Sequence, residues 1–576
     1  MQCIYLAKKI KCTQQMLSKV NQTIASILTS SSAPARNKAI WQYIFGAFIL
    51  LICGIKIFTD IQNNMDIQFA DEAAYIRFGL DLFEKLNRNW GPMYAVWYKC
   101  LSFYSSNPIV LYYLNFSVLS IAVSIVVYLF LLRININPIL ALYLSFCILV
   151  SNLNIEVWPR ISHFCLIIIS VAFIIATFLK NNIYKCLVVT LACLVCTYAR
   201  PEFYVAFLLM VVITILAMYY NKERIKSKDV FLFFVFLLCI ILLHLIFRFP
   251  SNDFFGYNRG VAAFYQHYAW NYKMRTGSTL DAWLNWEDLA KSTFGDCNSM
   301  WCVLKTQPKI FISNTLFNIR TYSMQLLRVI SFVFPVELIY GNKKRLILTI
   351  SVLILFIFLL ITKDSRKYFI QKIKDLRFYL LLIFCFIVPT LLSCVVVFPR
   401  DHYVYLQLLF WLLLMSSLLS YFFEKISNNT ILFILVGVAL YFITPRIKHY
   451  SFLNPSTDTH TLCNKKLINH INKKFDDKQH TIFTNLPFVH GMLPTNFNEM
   501  NTIFDKKKNI PFKHYLDSAQ YDIIIVVPSL LRDPHIKNDS TWLHFFNHYE
   551  EYNFKRDDFT DCEMYLLVRY TSEKLQ

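Results

Sequence analysis

Apolar residues in this chain gather in long runs; few stretches show the strict alternation of a half-buried strand. Mostly apolar runs occupy about 40–58, 108–132, 138–153, 161–179, 183–199, 203–220, 230–249, 346–361, 378–398, 403–423 and 431–444. A helix needs ~20 such residues to cross the hydrocarbon core of a bilayer. Several runs fall short of that length, as short or broken helices beside a cavity would. A further stretch at 326–340 carries Arg328, Pro335 and Glu337 and reads as an interfacial segment. The pattern predicts a polytopic α-helical membrane protein of about eleven transmembrane helices.

Basic residues set the expected orientation, because cytoplasmic flanks carry the excess of Lys and Arg. The polar leader 1–38, the Lys222-Glu223-Arg224 to Lys228 loop and the Lys363 to Arg377 stretch are all predicted to be cytoplasmic. Eleven spans satisfy the three assignments together, whereas twelve would put Lys363 to Arg377 outside. Three regions follow: a cytoplasmic leader at 1–38, a membrane domain at 39–445 with outer loops at about 59–107 and 250–345, and an extracytoplasmic tail at 446–576. Lys343-Lys344-Arg345 then lies outside, against the bias. In the tail, His480 to Asn485, Tyr521 to Pro528 and Glu563 to Tyr570 read as strands and Thr541 to Tyr552 as a helix, which predicts a small α/β domain.

Composition narrows the class. Of 576 residues, 56% are hydrophobic and 16% charged, against about 45–50% and about 25% in ordinary globular domains. The mean hydropathy of +0.44 excludes disorder, collagen and a disulfide scaffold. A net charge of +21 would suggest nucleic acid in a soluble chain; here the basic residues lie mostly between apolar runs, so no nucleic-acid partner is expected. Most of the 16 Cys read as small core residues. Cys297 with Cys302 and Cys463 with Cys562 are candidate disulfides if their segments are extracytoplasmic.

Polar residues then become informative through their position. Asp71-Glu72-Ala73-Ala74-Tyr75 opens a predicted helix in the first outer loop, with Asp71, Tyr75, Phe78 and Leu82 on one face. A carboxylate there can accept a proton from a hydroxyl or amine nucleophile; helix capping is the plain alternative. Arg200-Pro201-Glu202 sits between two runs, where the arginine fork suits a phosphate and a snorkelling side chain is the structural reading. Trp158-Pro159-Arg160-Ile161-Ser162-His163 and Phe398-Pro399-Arg400-Asp401-His402-Tyr403 also lie at span ends, as interfacial anchors commonly do. Arg160, Arg200 and Arg400 share the predicted outer face with Asp71, against the positive-inside bias, and so point to an anionic ligand. The aromatic residues of 250–345, among them Trp270, Trp283, Trp286 and Trp301, read as interfacial packing. No His, Asp or Glu cluster has metal spacing.

These features resemble the GT-C glycosyltransferases, in the branch of protein O-mannosyltransferases and the lipid A aminoarabinose transferase. The resemblance rests on Asp71-Glu72-x-x-Tyr75, Asn89-Trp90-Gly91-Pro92-Met93-Tyr94, Arg200-Pro201-Glu202 and Pro399-Arg400-x-x-Tyr403. It departs where Asp401-His402 interrupts a Pro-Arg-Tyr pattern. It implies a sugar moved from a polyprenyl-phosphate donor to a lipid, glycan or protein acceptor on the extracytoplasmic face. Asp71 would then be the general base, with Glu72 orienting acceptor or sugar. Arg200, Arg400, His402 and Arg160 would bind the donor phosphate, and Tyr75, Trp90, Glu202 and Tyr403 would line the substrate. Some relatives need a divalent metal, for which the sequence gives no positive sign, so no cofactor is expected. A transporter or lipid flippase, or a polysaccharide polymerase or ligase using lipid-linked sugars, is the alternative. The Lys-, Asn-, Ile- and Phe-rich, Gly-poor composition points to a bacterial inner membrane.

Overall fold

In a computed structural model of the chain, residues 40–330 and 362–570 are described, except for 85, 89, 222–226, 249–252, 255–256, 284, 425–428, 451–461, 476–477, 495, 501–520, 533 and 560–561. Residues 18–19, 21–23, 26–27 and 357 are also described. The expected run at 346–361 apart from Ile357, most of the 326–340 segment, Lys222-Glu223-Arg224, Lys343-Lys344-Arg345 and nearly all of the leader lie outside them.

The protein is an α-helical membrane protein. Among the described residues, seven helices are long and apolar enough to cross a bilayer: Ile40–Asn64, Pro108–Arg133, Ile161–Phe178, Asn182–Ala199, Phe203–Tyr220, Val230–Phe247 and Lys363–Val397. Pro138–Val150, Leu408–Phe423 and Thr430–Ile443 are apolar but shorter. On Val230–Phe247 the apolar side chains point outward, with Phe231 67% and Leu245 70% exposed. Such a surface is unfavourable in water and favourable in hydrocarbon.

The run expected at 138–153 ends early for a local reason. Ser151 leaves the helix at Val150 and caps the short helix Asn152–Ile155, its side chain accepting from Asn154 N. The basic stretch Lys363 to Arg377 is the first half of a continuous helix, Lys363–Leu392. That helix widens into a π-helical turn at Ser393–Val397. The run expected at 403–423 is split into Asp401–Tyr405 and Leu408–Phe423.

The chain divides into two compact units. The first comprises Met1–Ile57, Arg88–Met93 and Val118–Pro445; the second, Phe58–Asn87, Tyr94–Ser117 and Arg446–Gln576. In the first, Arg259–Thr276, Trp286–Phe294, Met300–Thr306 and Pro308–Ile330 follow one another in the 250–345 region. Val261, Phe264, Tyr265, Tyr268, Ala290 and Phe294 give these helices a core of their own, and a Cys297–Cys302 disulfide closes its edge.

In the second unit a five-stranded sheet runs in the order Phe497–Met500, His480–Phe483, Ile523–Val526, Tyr565–Arg569, Phe554–Asp558. The first three strands are parallel, and Tyr565–Arg569 pairs antiparallel with both of its neighbours. The expected strands appear in trimmed form, and Phe497–Met500 and Phe554–Asp558 are additional. Two features tie the first-loop residues to the tail, and a disulfide braces the tail itself. Asp66 accepts from the backbone of Asn464 (2.9 Å) and Lys465 (3.0 Å), at the start of helix Cys463–Lys474 where free N–H groups favour an anion. Cys463 is bridged to Cys562. Gly491 packs so tightly on the backbone of Ala73 that a Cβ would lie 2.2 Å from its carbonyl oxygen.

Candidate functional site

In the first unit, the break between helices Asn182–Ala199 and Phe203–Tyr220 is made by Arg200-Pro201-Glu202. Arg200 takes an extended backbone and ends the first helix. Its Nε lies 2.6 Å from Glu202 Oε1, its Nη1 donates to Ser162 Oγ at 3.0 Å, and its guanidinium sits 4.9 Å from the Tyr403 ring centre. Burial alone pushes the Glu202 carboxyl up, but the charges of Arg200 and Arg259 and the Arg200 hydrogen bond outweigh it and hold the group below the usual carboxylate range. Burial, then the Glu202 charge, raises the pKa of the Tyr403 hydroxyl, with the charges of Arg200, Arg400 and Arg259 opposing them in part.

Arg400 and His402 follow the π-helical turn Ser393–Val397 in the chain. Arg400 occupies the N-cap position of the short helix Asp401–Tyr405, without a side-chain cap, and its guanidinium lies 6.0 Å from the Trp283 ring centre. His402 is buried, with its Nδ1 3.3 Å from the carbonyl of Trp158. Its Nε2 has no hydrogen-bond partner among the described residues. Burial first, then the charges of Arg200 and Arg400, hold its pKa well below the ordinary histidine value. His267, stacked on Phe398 at 5.1 Å, is lowered by burial and by Arg400. Both imidazoles are neutral at physiological pH, so neither adds charge to the arginines. A cavity of about 340 Å³ opens beside this segment, lined by Glu156, Trp158, Gln325, Arg400, Asp401 and His402 among others.

Arg160, expected on the phosphate, is fully buried. Its Nη1 donates to Asn154 O and its Nη2 to Ile155 O, each at 2.5 Å, and Nη1 also meets His163 Nε2 at 2.8 Å. The guanidinium thus closes the turn between Asn152–Ile155 and Ile161–Phe178. Tyr405 joins the same network through Asn154 Oδ1.

Asp71, Glu72 and Tyr75 belong to the second unit. Asp71 is the first residue of helix Asp71–Leu80; Ala70 occupies the N-cap, without a side-chain cap. An acid in this first turn favours the helix dipole. Glu72 is buried and accepts from Tyr94 Oη (2.5 Å), Tyr98 Oη (2.5 Å) and Asn115 Nδ2 (3.0 Å). Burial, then the Glu72 charge, raises the pKa of both tyrosines, which keeps them as donors. Tyr75 is buried edge-on against Tyr94, ring centres 5.0 Å apart. Trp90 is half-buried at a bend in the first unit.

Three participants were not singled out from sequence. Arg259 is the first residue of helix Arg259–Thr276, behind the Asn258 cap. A cation in that position opposes the helix dipole, a signal available from the Asn-Arg-Gly order alone. Ser162, within the Trp158 to His163 cluster at a span end, carries no sequence signal of its own. His267 could be placed only once Phe398 was seen against it. Among the described residues, no three His, Cys, Asp or Glu side chains gather at a metal-binding distance.

No protein-family model matches the chain, and no curated protein matches it.

Proposed function

We propose that the protein is a membrane glycosyltransferase that moves a sugar from a polyprenyl-phosphate donor to an acceptor on the extracytoplasmic face. The observation that carries this reading is the Arg200 fork held by Glu202 and Ser162 over the ring of Tyr403, whose short helix also carries His402 and has Arg400 at its N-cap. Arginine forks held at helix ends suit a phosphate monoester or diester, and the apolar helices supply a route for a prenyl chain.

In the proposed reaction the acceptor oxygen or nitrogen attacks the anomeric carbon and its proton passes to the Asp71 carboxylate. The bond from that carbon to the phosphate oxygen breaks, and its electron pair leaves with the lipid phosphate. Arg200 and Arg400 stabilise the charge gained by that phosphate. Single displacement inverts the anomeric configuration. Glu202 orients Arg200, and neutral His402 lines the cavity beside Arg400. Glu72 holds helix Asp71–Leu80 through its tyrosine cage, and Arg160 holds the turn before Ser162.

The test supplies radiolabelled polyprenyl-phosphate sugars to membranes containing wild type or Asp71→Asn and counts label in protein and lipid fractions. Transfer by wild type that is lost in a folded Asp71→Asn protein supports the reaction and names the acceptor class. Equal transfer by both removes Asp71 as the base. Transport of the lipid without transfer favours the flippase alternative.

A further inference from the structure

Helix Pro308–Ile330 carries Asn314, Asn318, Tyr322 and Gln325 at steps of four, four and three, which puts them on one face. Asn318 is fully buried. Its Nδ2 donates to the carbonyls of Val395 (3.2 Å), Val396 (3.3 Å) and Val397 (3.0 Å). Its Oδ1 accepts from Asn271 Nδ2 at 2.8 Å, and Asn271 also donates to Asn314 Oδ1 at 2.9 Å. One turn further along, Tyr322 Oη donates to Gln407 Oε1 at 2.5 Å, and Gln407 Nε2 reaches Cys394 Sγ at 3.7 Å.

The three carbonyls belong to the π-helical turn Ser393–Val397. At the end of a helix such carbonyls lack downstream N–H partners. The shortage is acute here, because the residue four beyond Val395 is Pro399, which has no N–H. Arg400 N is already used by Phe398 O at 2.9 Å. The Asn318 amide therefore supplies the missing donor and fixes the backbone that leads directly into Arg400 and His402. Apolar packing would be a simpler way to gain stability. The three buried amides leave Asn271 Oδ1 and Asn314 Nδ2 without partners among the described residues, which costs stability. What the network provides is a fixed geometry for a turn that a helix cannot hold by itself.

We propose that Asn318 is a positioning residue of the candidate anion site, acting through the Ser393–Val397 turn to place Arg400 and His402. This rests on the glycosyl-transfer reading above, and its test has one arm that does not.

The full-length protein in detergent is compared with Asn318→Asp, which keeps the shape but turns an acceptor toward three carbonyls. Asn314→Ala is the control, because it disturbs the same buried network without touching the turn. Cys394 is buried inside the turn, so its alkylation by a small maleimide, mapped by mass spectrometry, reports the clamp without any ligand. Farnesyl monophosphate binding reports the site. Asn318→Asp is expected to react about tenfold faster at Cys394 and to bind the phosphate about tenfold more weakly, while Asn314→Ala changes only the unfolding temperature. Unchanged Cys394 reactivity in Asn318→Asp overturns the clamp. Faster alkylation with undiminished binding overturns the positioning role, as does an equal loss of binding in Asn314→Ala. Wild type that binds no farnesyl monophosphate removes the lipid-phosphate reading and the positioning role with it, with the alkylation arm still reporting on the clamp. If Asn318→Asp fails to fold, Asn271→Ser, which loosens Asn318 from its Oδ1 side, is read by the same criteria.

Discussion

Arg200 Nε and Glu202 Oε1 are 2.6 Å apart across Pro201, so the arginine that faces Tyr403 is aimed by an acid two residues away. Its Nη1 is held at the same time by Ser162. A guanidinium reaches both partners because its donors are spread across a rigid fork, whereas an ammonium concentrates its three donors on one nitrogen. Arg200→Ala is therefore expected to lower kcat/KM for the lipid donor by about a hundredfold, the scale of losing one preorganised charge-stabilising donor. Arg200→Lys should recover little of that. Kinetics with a labelled donor check both, and full rescue by lysine would show that charge alone is required.

The same cluster sets an acid limit on stability. The Glu202 carboxyl is depressed in the folded state, so its contribution is present above the ordinary value of 4.5 and is lost as pH falls toward the folded-state pKa. His402 acts in the same direction from higher pH. It is buried neutral, so the unfolded chain binds a proton near 6.5 that the folded chain refuses. Stability should fall as pH drops below that value, with His267 adding to the slope. Unfolding temperatures between pH 7.5 and pH 5 are expected to decline in wild type and to decline less in His402→Gln. Glu202→Gln should already unfold at a lower temperature than wild type at pH 7.5, and extending the series below about pH 5 should close that gap. An identical slope in wild type and His402→Gln would refute the neutral, buried assignment.

The membrane class of this chain is written in its apolar runs, because a bilayer demands length and hydrophobicity and little else. Breaks inside those runs were harder to see. Nothing in the hydropathy marks Ser393–Val397 as a π-helical turn, and Lys363 to Arg377 reads as a loop because charge, not helix propensity, dominates that reading. The edge strand Phe554–Asp558, with Lys555, Arg556, Asp557 and Asp558 in a row, hides for a similar reason: edges are kept charged against stray pairing. Within the candidate site, Arg200, Glu202, Arg400 and His402 were legible from their places at span ends. Glu72 was legible as an acid but not as a caged one, since its three donors come from Tyr94, Tyr98 and Asn115. The Asn314, Asn318, Tyr322 spacing was present in the sequence, but its meaning depended on which backbone it would meet.

Glu72 makes a sharper distinction between holding and reacting. Glu72→Ala would leave the hydroxyls of Tyr94 and Tyr98 buried with no carboxylate to donate to, at a cost of about 1–3 kcal/mol for each unsatisfied group. Glu72→Gln keeps an acceptor oxygen and should cost less. Thermal unfolding of the purified protein should rank wild type above Glu72→Gln and Glu72→Gln above Glu72→Ala. If Glu72→Gln unfolds like wild type yet abolishes transfer, the carboxylate has a chemical role beyond its cage.

The Cys463–Cys562 bridge joins residues 99 positions apart, linking the first residue of helix Cys463–Lys474 to the segment before strand Tyr565–Arg569. Closing so long a loop removes much of the freedom of the unfolded chain, and losing a bridge of this kind typically costs about 2–5 kcal/mol. Disulfides persist in oxidising compartments and are rare in the cytosol, so the state of this bridge in cells tests the proposed sidedness. In intact cells Cys463 and Cys562 are expected to resist maleimide-polyethylene glycol until a reductant is added, and both should then react. Cys463→Ala should lower the unfolding temperature and expose Cys562 without reductant. Labelling of both residues before reduction would place the tail in a reducing compartment, and with it would fall the proposed extracytoplasmic address.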